Sequence, residues 1–213
     1  MSDGTYHATR FQEDRRREIL WRTLWQYHFV HRIDPGACVL DLGSGYGSFI
    51  NQVQARRRIA LDQWPGFTAH LAPGVEALVA PATDLSAIAT GSVDFAFASN
   101  LFEHLSQNEL ASVLRQLCRV LAPGGKLCLL QPNWRYAYRR YFDDYTHVTV
   151  WSHDGMADFL AANGWEVSEV RPRFLPLTLK SSLPVSSLLI RAYLRCPWKI
   201  MGGQMMITAR VAR

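Results

Sequence analysis

Between Cys38 and Gly47 a short apolar run, Cys38-Val39-Leu40, closes on Asp41-Leu42 and then gives way to three glycines at alternate positions, Gly43-Ser44-Gly45-Tyr46-Gly47. A brief apolar run bounded by a turn reads as a buried strand. Glycine accepts positive φ and has no Cβ to hold a ligand away from the backbone. Phe49, Ile50 and Val53 then resume at helical spacing, so the passage predicts strand, glycine turn and helix. Open α/β sheets are built from that unit, and they bind ligands outside the carboxyl ends of their strands.

The rest of the chain fits such a sheet. Apolar runs predict strands at 58–62, 75–80, 93–98, 126–131, 165–170 and 205–211. Ser106 with Glu109 forms a capping box ahead of Leu110, Val113, Leu114, Leu117 and Leu121, so a helix is expected over 106–121, ending before Pro123-Gly124-Gly125. Ser152 caps a helix carrying Met156, Phe159 and Leu160 that Asn163-Gly164 ends. Residues 11–31 read as a helix with Leu20, Leu24, Tyr27 and His31 on one stripe and Trp21, Trp25 and His28 beside it. The expected fold is α/β, a three-layer sandwich with a mainly parallel seven-stranded sheet and an antiparallel last strand at its edge. Residues 1–36 form an N-terminal helical extension, and 37–213 the main domain with a basic, partly apolar insertion at about 173–203.

The charge is uneven. From Arg171 onward there are eight Lys or Arg and no Asp or Glu, so the formal net charge of +5 belongs to the tail. Such an excess either concentrates an anionic partner or is a solvated face. Pro184 can open a helix with Val185, Leu188, Leu189 and Ala192 on one face and Ile190 and Leu194 beyond it, with Arg191 and Arg195 as a basic stripe. An apolar surface of that width needs covering by the domain, a second subunit or a lipid surface. The first residues lack the apolar core of a secretory signal, and no stretch of about 18 apolar residues follows, so a cytoplasmic protein is expected. Cys38, Cys118, Cys128 and Cys196 are scattered without C-x-x-C spacing, and no helical His/Glu pairing is present, so no metal is expected. A set made from Asp143, Asp144 and His147 is the one arrangement conceivable.

The glycine passage resembles the first motif of the class I (Rossmann-like) S-adenosylmethionine-dependent methyltransferases. The resemblance continues through Asp62, the run Ala98-Ser99-Asn100-Leu101-Phe102-Glu103-His104-Leu105, and Arg119-Val120-Leu121-Ala122-Pro123-Gly124-Gly125. It implies S-adenosyl-L-methionine as cofactor, with Gly43, Gly45 and Gly47 lining it, Asp62 accepting from the ribose hydroxyls, and Asp41 helping to hold the methionine ammonium. It also places Asn100 and His104 on the cofactor side, with a catalytic base as the other reading of His104. Where many relatives carry an adenine-binding acid this chain has Ala80-Pro81, so Asp84 is a candidate substitute, as are the backbone groups of Ala82 and Thr83; a loop carboxylate is the plain reading of Asp84. The nicotinamide fingerprint G-x-G-x-x-G is not met, because residue 48 is Ser.

For the acceptor, residues 131–147 are rich in aromatics and carboxylates. His147 is the candidate general base, with Asp143 or Asp144 orienting it and Tyr141 and Tyr145 shaping the pocket; alternatively, these groups simply tie down a loop. The resulting expectation is in-line methyl transfer, favouring oxygen, to a small or lipid-linked, anionic acceptor, with peripheral contact to an anionic membrane. The alternatives are an RNA methyltransferase and a non-catalytic S-adenosylmethionine-binding protein. No RNA-binding module accompanies the core, so nucleic acid is not the expected partner.

Overall fold

The computed structural model describes residues 15–176, 186–199 and 201–212. Seven strands, β1 (Cys38–Leu42), β2 (Arg57–Asp62), β3 (Val75–Val79), β4 (Val93–Ser99), β5 (Leu121–Pro132), β6 (Trp165–Pro176) and β7 (Gly202–Val211), form one sheet in the order β3-β2-β1-β4-β5-β7-β6. The first five pair in parallel, and β7 runs antiparallel to both neighbours. The last strand is therefore antiparallel as expected, but it lies inside the sheet and β6 takes the edge. Burial explains the placement: Gly202 to Ala209 are all buried, including Met205, Met206 and Ile207, which suits a strand flanked on both sides.

Strand alternation builds the two cores. Leu40, Leu42, Ala96, Ala98, Leu127 and Leu129 face α2 (Gln107–Val120) and α4 (His153–Ala162). Val39, Phe95, Phe97, Cys128 and Leu130 face α1 (Arg15–Leu24), its π-helical continuation Trp25–Phe29, and the chain around Phe49 and Ile50. A short α3 (Trp134–Ala137) follows β5, and α5 (Ser187–Arg195) precedes β7.

The Ser106–Glu109 capping box forms as read, and Ser152 caps α4 through Gly155 N–H at 3.0 Å. Three expectations change. The segment after the glycines is a chain of turns, with Gly47 N–H bonded to Ser44 O, Asn51 to Gly47, Gln52 to Phe49 and Val53 to Ile50. Gly43, Gly45 and Gly47 all hold positive φ and interrupt a right-handed helix at its start. In the first helix the buried stripe is Trp21, Leu24, Trp25 and Phe29, whereas Tyr27 is 43% exposed; the π turn at Trp25–Phe29 shifts the phase. On α5, Tyr193 and Leu194 meet the core while Leu188 and Leu189 face outward. Thr23 Oγ1 gives its proton to Ile19 O at 2.7 Å and accepts from Ser187 Oγ at 3.0 Å, which joins α5 to α1. Pro184 and Val185 lie outside the described residues, as do residues 1–14; the helix here starts after a Ser186 cap.

Candidate functional site

Parallel strands bring four loops to one edge. The glycine turn follows β1, Asp62 ends β2, Asn100 to Leu105 follow β4, and Asn133 onward follows β5. The turn is held by Gly43 and Ser44 N–H bonds to Leu61 O at 2.8 and 3.1 Å. A Cβ on Gly43 would stand 3.0 Å from Leu101 Cδ1, so the turn packs directly on the loop after β4. Asp62 Oδ2 accepts Gly45 N–H at 2.8 Å and Oδ1 accepts Trp64 N–H at 2.9 Å. Its carboxylate is thereby oriented by backbone, with a second acceptor position remaining on each oxygen. Asp41 lies beneath the turn and is 3% exposed. Burial and the nearby Asp62 charge hold its carboxyl well above the usual range, while Ile50 N–H opposes the shift.

An adenosine-bearing ligand fits this edge. Three glycines offer bare backbone, and the Ser44 hydroxyl is buried without a partner among the described residues. Sequence reading passed over Trp64, Tyr46 and His70, whose rings meet at 5.4 Å (Tyr46–Trp64) and 4.6 Å (Tyr46–His70) beside Asp62. Their signal was an aromatic residue two places beyond the strand-end acid. Asp84 is exposed, its Oδ1 accepts Ser86 N–H at 3.0 Å, and it feels Arg119, whose guanidinium grips Leu85 O and Ile88 O.

Asn100 holds φ of 50°, accepts from Gln204 Nε2 at 3.2 Å and donates its N–H to Leu130 O at 2.8 Å. It thus couples β4, β5 and β7 at the edge. Just beyond it, Glu103 is wholly buried, and its carbonyl accepts Val148 and Thr149 N–H at 2.9 and 3.2 Å. Thr149 Oγ1 donates to Leu105 O at 2.6 Å, and Tyr141 O–H to Thr149 O at 2.7 Å. These bonds staple the loop after β5 onto the loop after β4.

The staple puts His147 4.9 Å from His104, ring to ring, with its Nε2 4.0 Å from Glu103 Oε1. Burial lowers the pKa of both imidazoles, and each is neutral near pH 7. Burial pushes the Glu103 carboxyl up to about 8. Asp144 Oδ1 accepts Thr146 N–H at 3.1 Å and Thr146 Oγ1 at 2.6 Å, Thr146 in turn holds His104, and the Asp144 charge also acts on His147. Burial raises the Asp144 pKa, but the Thr146 bonds and the two imidazoles bring it below its usual value. Tyr145 is 66% exposed and Tyr141 is fully buried, so Tyr141 anchors the loop while Tyr145 stands out toward solvent. Asn133, wholly buried, caps α3 and donates to Pro172 O at 2.9 Å; its capping type, ahead of Trp134, was the signal available.

Residues 40–129 match the family described as Methyltransferase domain. No curated protein matches the chain. A SAM-dependent methyltransferase from Archaeoglobus fulgidus superposes with a TM-score of 0.68 at 19% identity, covering 96% of this chain and 97% of that one. The methyltransferase in complex with the Haloferax volcanii Trm112 methyltransferase activator gives 0.65 at 16% identity, covering 95% and 100%. The geranyl diphosphate C-methyltransferase of Streptomyces coelicolor A3(2), solved with Mg2+, geranyl diphosphate and S-adenosyl-L-homocysteine, gives 0.61 at 14% identity, covering 88% and 77%. At these identities the likeness to solved structures is one of fold.

Proposed function

We propose that this chain, which carries a class I S-adenosylmethionine-dependent methyltransferase domain, delivers its methyl group to a hydroxyl oxygen of a small anionic acceptor. When bound, S-adenosylmethionine supplies a methyl carbon made electrophilic by the adjoining sulfonium. The glycine turn and Asp62 would hold its nucleoside, and Trp64 with Tyr46 would flank the adenine in place of the acid missing at Pro81. Asp41 and Ser44 would serve the methionine end.

The observation carrying the oxygen reading is the pair of half-buried, neutral imidazoles of His104 and His147 beside the loop that packs on Gly43. A neutral imidazole can take the proton that a hydroxyl must lose as its oxygen is alkylated. An amine acceptor, already bearing a lone pair when neutral, has less need of one. Charge supports an anionic acceptor. Arg139 and Arg140 are exposed at the rim of the same loop, and Arg173 of the basic tail stacks 4.0 Å over Tyr136. Other tail cations are engaged elsewhere: Arg171 pairs with Glu169, Arg210 with Glu166, and Arg191 lies 4.9 Å over Tyr27. A lipid-linked form of that acceptor is favoured by Leu188 and Trp198, 75% and 78% exposed near Arg195.

The test is release of S-adenosylhomocysteine with a panel pairing hydroxyl against amine acceptors, each in neutral and in phosphorylated or carboxylated form. Turnover concentrated on anionic hydroxyl compounds is expected. Turnover confined to amines, or indifferent to acceptor charge, would overturn the reading.

A further inference from the structure

We propose that Glu103, His104 and His147 form a binding site for one divalent metal ion of the zinc type, with a coordination position left open to a ligand oxygen. One ring nitrogen of each histidine and one carboxylate oxygen of Glu103 lie within 4.8 Å of one another. A tetrahedral ion with bonds of about 2.0 to 2.2 Å holds its ligand atoms about 3.4 Å apart. The Glu103 Oε1 to His147 Nε2 distance of 4.0 Å closes to that value with a small side-chain rotation.

The independent observation is Glu103 itself. Its side chain is 0% exposed, it points at His147, and neither carboxylate oxygen has a hydrogen-bond partner among the described residues. A buried polar group in a native fold is ordinarily satisfied, and one that is not calls for an ion or another specific cause. The Glu103 backbone is held beneath the neighbouring loop, its carbonyl accepting Val148 and Thr149 N–H.

The surroundings of His104 supply what a ligating imidazole needs. Thr146 Oγ1 gives its single proton to Asp144 Oδ1 at 2.6 Å, and the Thr146 carbonyl can only accept. His104 Nδ1, 2.9 Å from that hydroxyl and 3.2 Å from that carbonyl, must therefore be the protonated nitrogen. The lone pair falls on Nε2. Metal-bound histidines characteristically donate their other N–H to an oxygen in this way, and here an Asp144–Thr146–His104 chain fixes both tautomer and ring. Two nitrogens and one carboxylate oxygen are a borderline donor set, suited to zinc and its neighbours rather than to magnesium or calcium, which prefer all-oxygen shells. The sequence pointed to no metal because it shows no ligand spacing of the usual kind, whereas Glu103 and His147 meet only through the staple between two loops.

What the ion does rests on the methyl-transfer reading. An acceptor hydroxyl on the open position becomes more acidic and gives its proton to solvent. Its oxygen then forms the bond to the methyl carbon as the carbon–sulfur bond breaks, with the electron pair returning to sulfur. The imidazoles in this state hold the ion and do not take the proton.

The test uses chelator-stripped full-length protein titrated with Zn2+ alone by calorimetry, with Co2+ as a spectroscopic probe. One equivalent should bind, Co2+ should give the strong visible bands of a tetrahedral site, and Glu103→Gln and His147→Ala should each weaken binding by about 100-fold or more. Thr146→Val, which breaks the Asp144–Thr146–His104 chain but removes no ligand, should cost about 10- to 100-fold. Unchanged binding in Glu103→Gln, or a six-coordinate Co2+ spectrum in the wild type, overturns the site; the spectrum decides even if the variants do not fold. Stoichiometric binding with chelator-insensitive methyl transfer leaves the site standing and sinks its role in the reaction.

Discussion

Replacing Asp62 by alanine separates what this carboxylate does for the ligand from what it does for the fold. Its oxygens already hold Gly45 N–H at 2.8 Å and Trp64 N–H at 2.9 Å, so the group is aimed before a nucleoside arrives. A charge-assisted hydrogen bond contributes about 1.5 to 3 kcal/mol, which is about 10- to 150-fold in Kd for S-adenosylhomocysteine. The two stranded backbone donors, by contrast, weaken free and bound protein alike and should appear as a lower Tm. Asp62→Asn is the informative companion. Its single carbonyl oxygen can serve one of the two N–H groups, while its NH2 confronts the other donor. Affinity should fall nearly as far as in the alanine variant, with part of the Tm recovered. Calorimetry on folded variants, alongside thermal melts, reads both quantities. A Kd for Asp62→Ala within about twofold of wild type would refute the assignment of the ribose to this residue.

His28 is partly buried against Phe29 and Phe174, its Nε2 has no partner among the described residues, and burial with Arg32 and Arg171 lowers its pKa from 6.5 to about 3. The unfolded chain takes up a proton below 6.5 that the folded chain refuses. Its contribution is thus complete above that pH and is lost as pH falls toward 3, by about 1 to 2 kcal/mol between pH 7 and 5; urea unfolding should show that this part of the slope vanishes in His28→Leu. Gly47 and Gly124 both hold positive φ, but a Cβ at Gly47 would meet Asn51 Nδ2 and Leu71 Cδ2 at 2.9 Å whereas nothing lies within 4 Å at Gly124. Gly124→Ala should cost only the conformational strain of about 1 to 2 kcal/mol, and Gly47→Ala measurably more by the same unfolding assay, with equal losses counting against the packing argument. Trp64→Ala should weaken S-adenosylhomocysteine by about fivefold, as loss of an aromatic contact of about 1 kcal/mol implies, while leaving Tm closer to wild type than Asp62→Ala does.

What the sequence disclosed tracks how local the determining contacts are. The capping box of Ser106 and Glu109, the glycine turn and the strand-end Asp62 are settled by residues a few places apart, and each forms where the pattern put it. Alternation also gave the two-faced sheet, since Phe95 and Phe97 point one way and Ala96 and Ala98 the other. The chain after Gly47 misled because Phe49, Ile50 and Val53 do bury as a helix would have them, yet the preceding left-handed glycines let turns satisfy the backbone instead.

The acceptor side was least legible because its geometry depends on one main-chain carbonyl. His104 and His147 come together only when Glu103 O accepts Val148 and Thr149 N–H, and backbone bonding between two irregular loops leaves no mark on residue type. Once that pairing exists, the side-chain identities acquire sense. Thr146 is the residue that can pass Asp144's negative charge to His104, Tyr141 closes the loop through Thr149 O, and Glu103 is drawn below the surface with the loop it anchors. An acid between Phe102 and His104 would otherwise be read as a solvent-facing side chain. Its complete burial makes it costly to leave without a partner, and the proposed metal site rests on that cost.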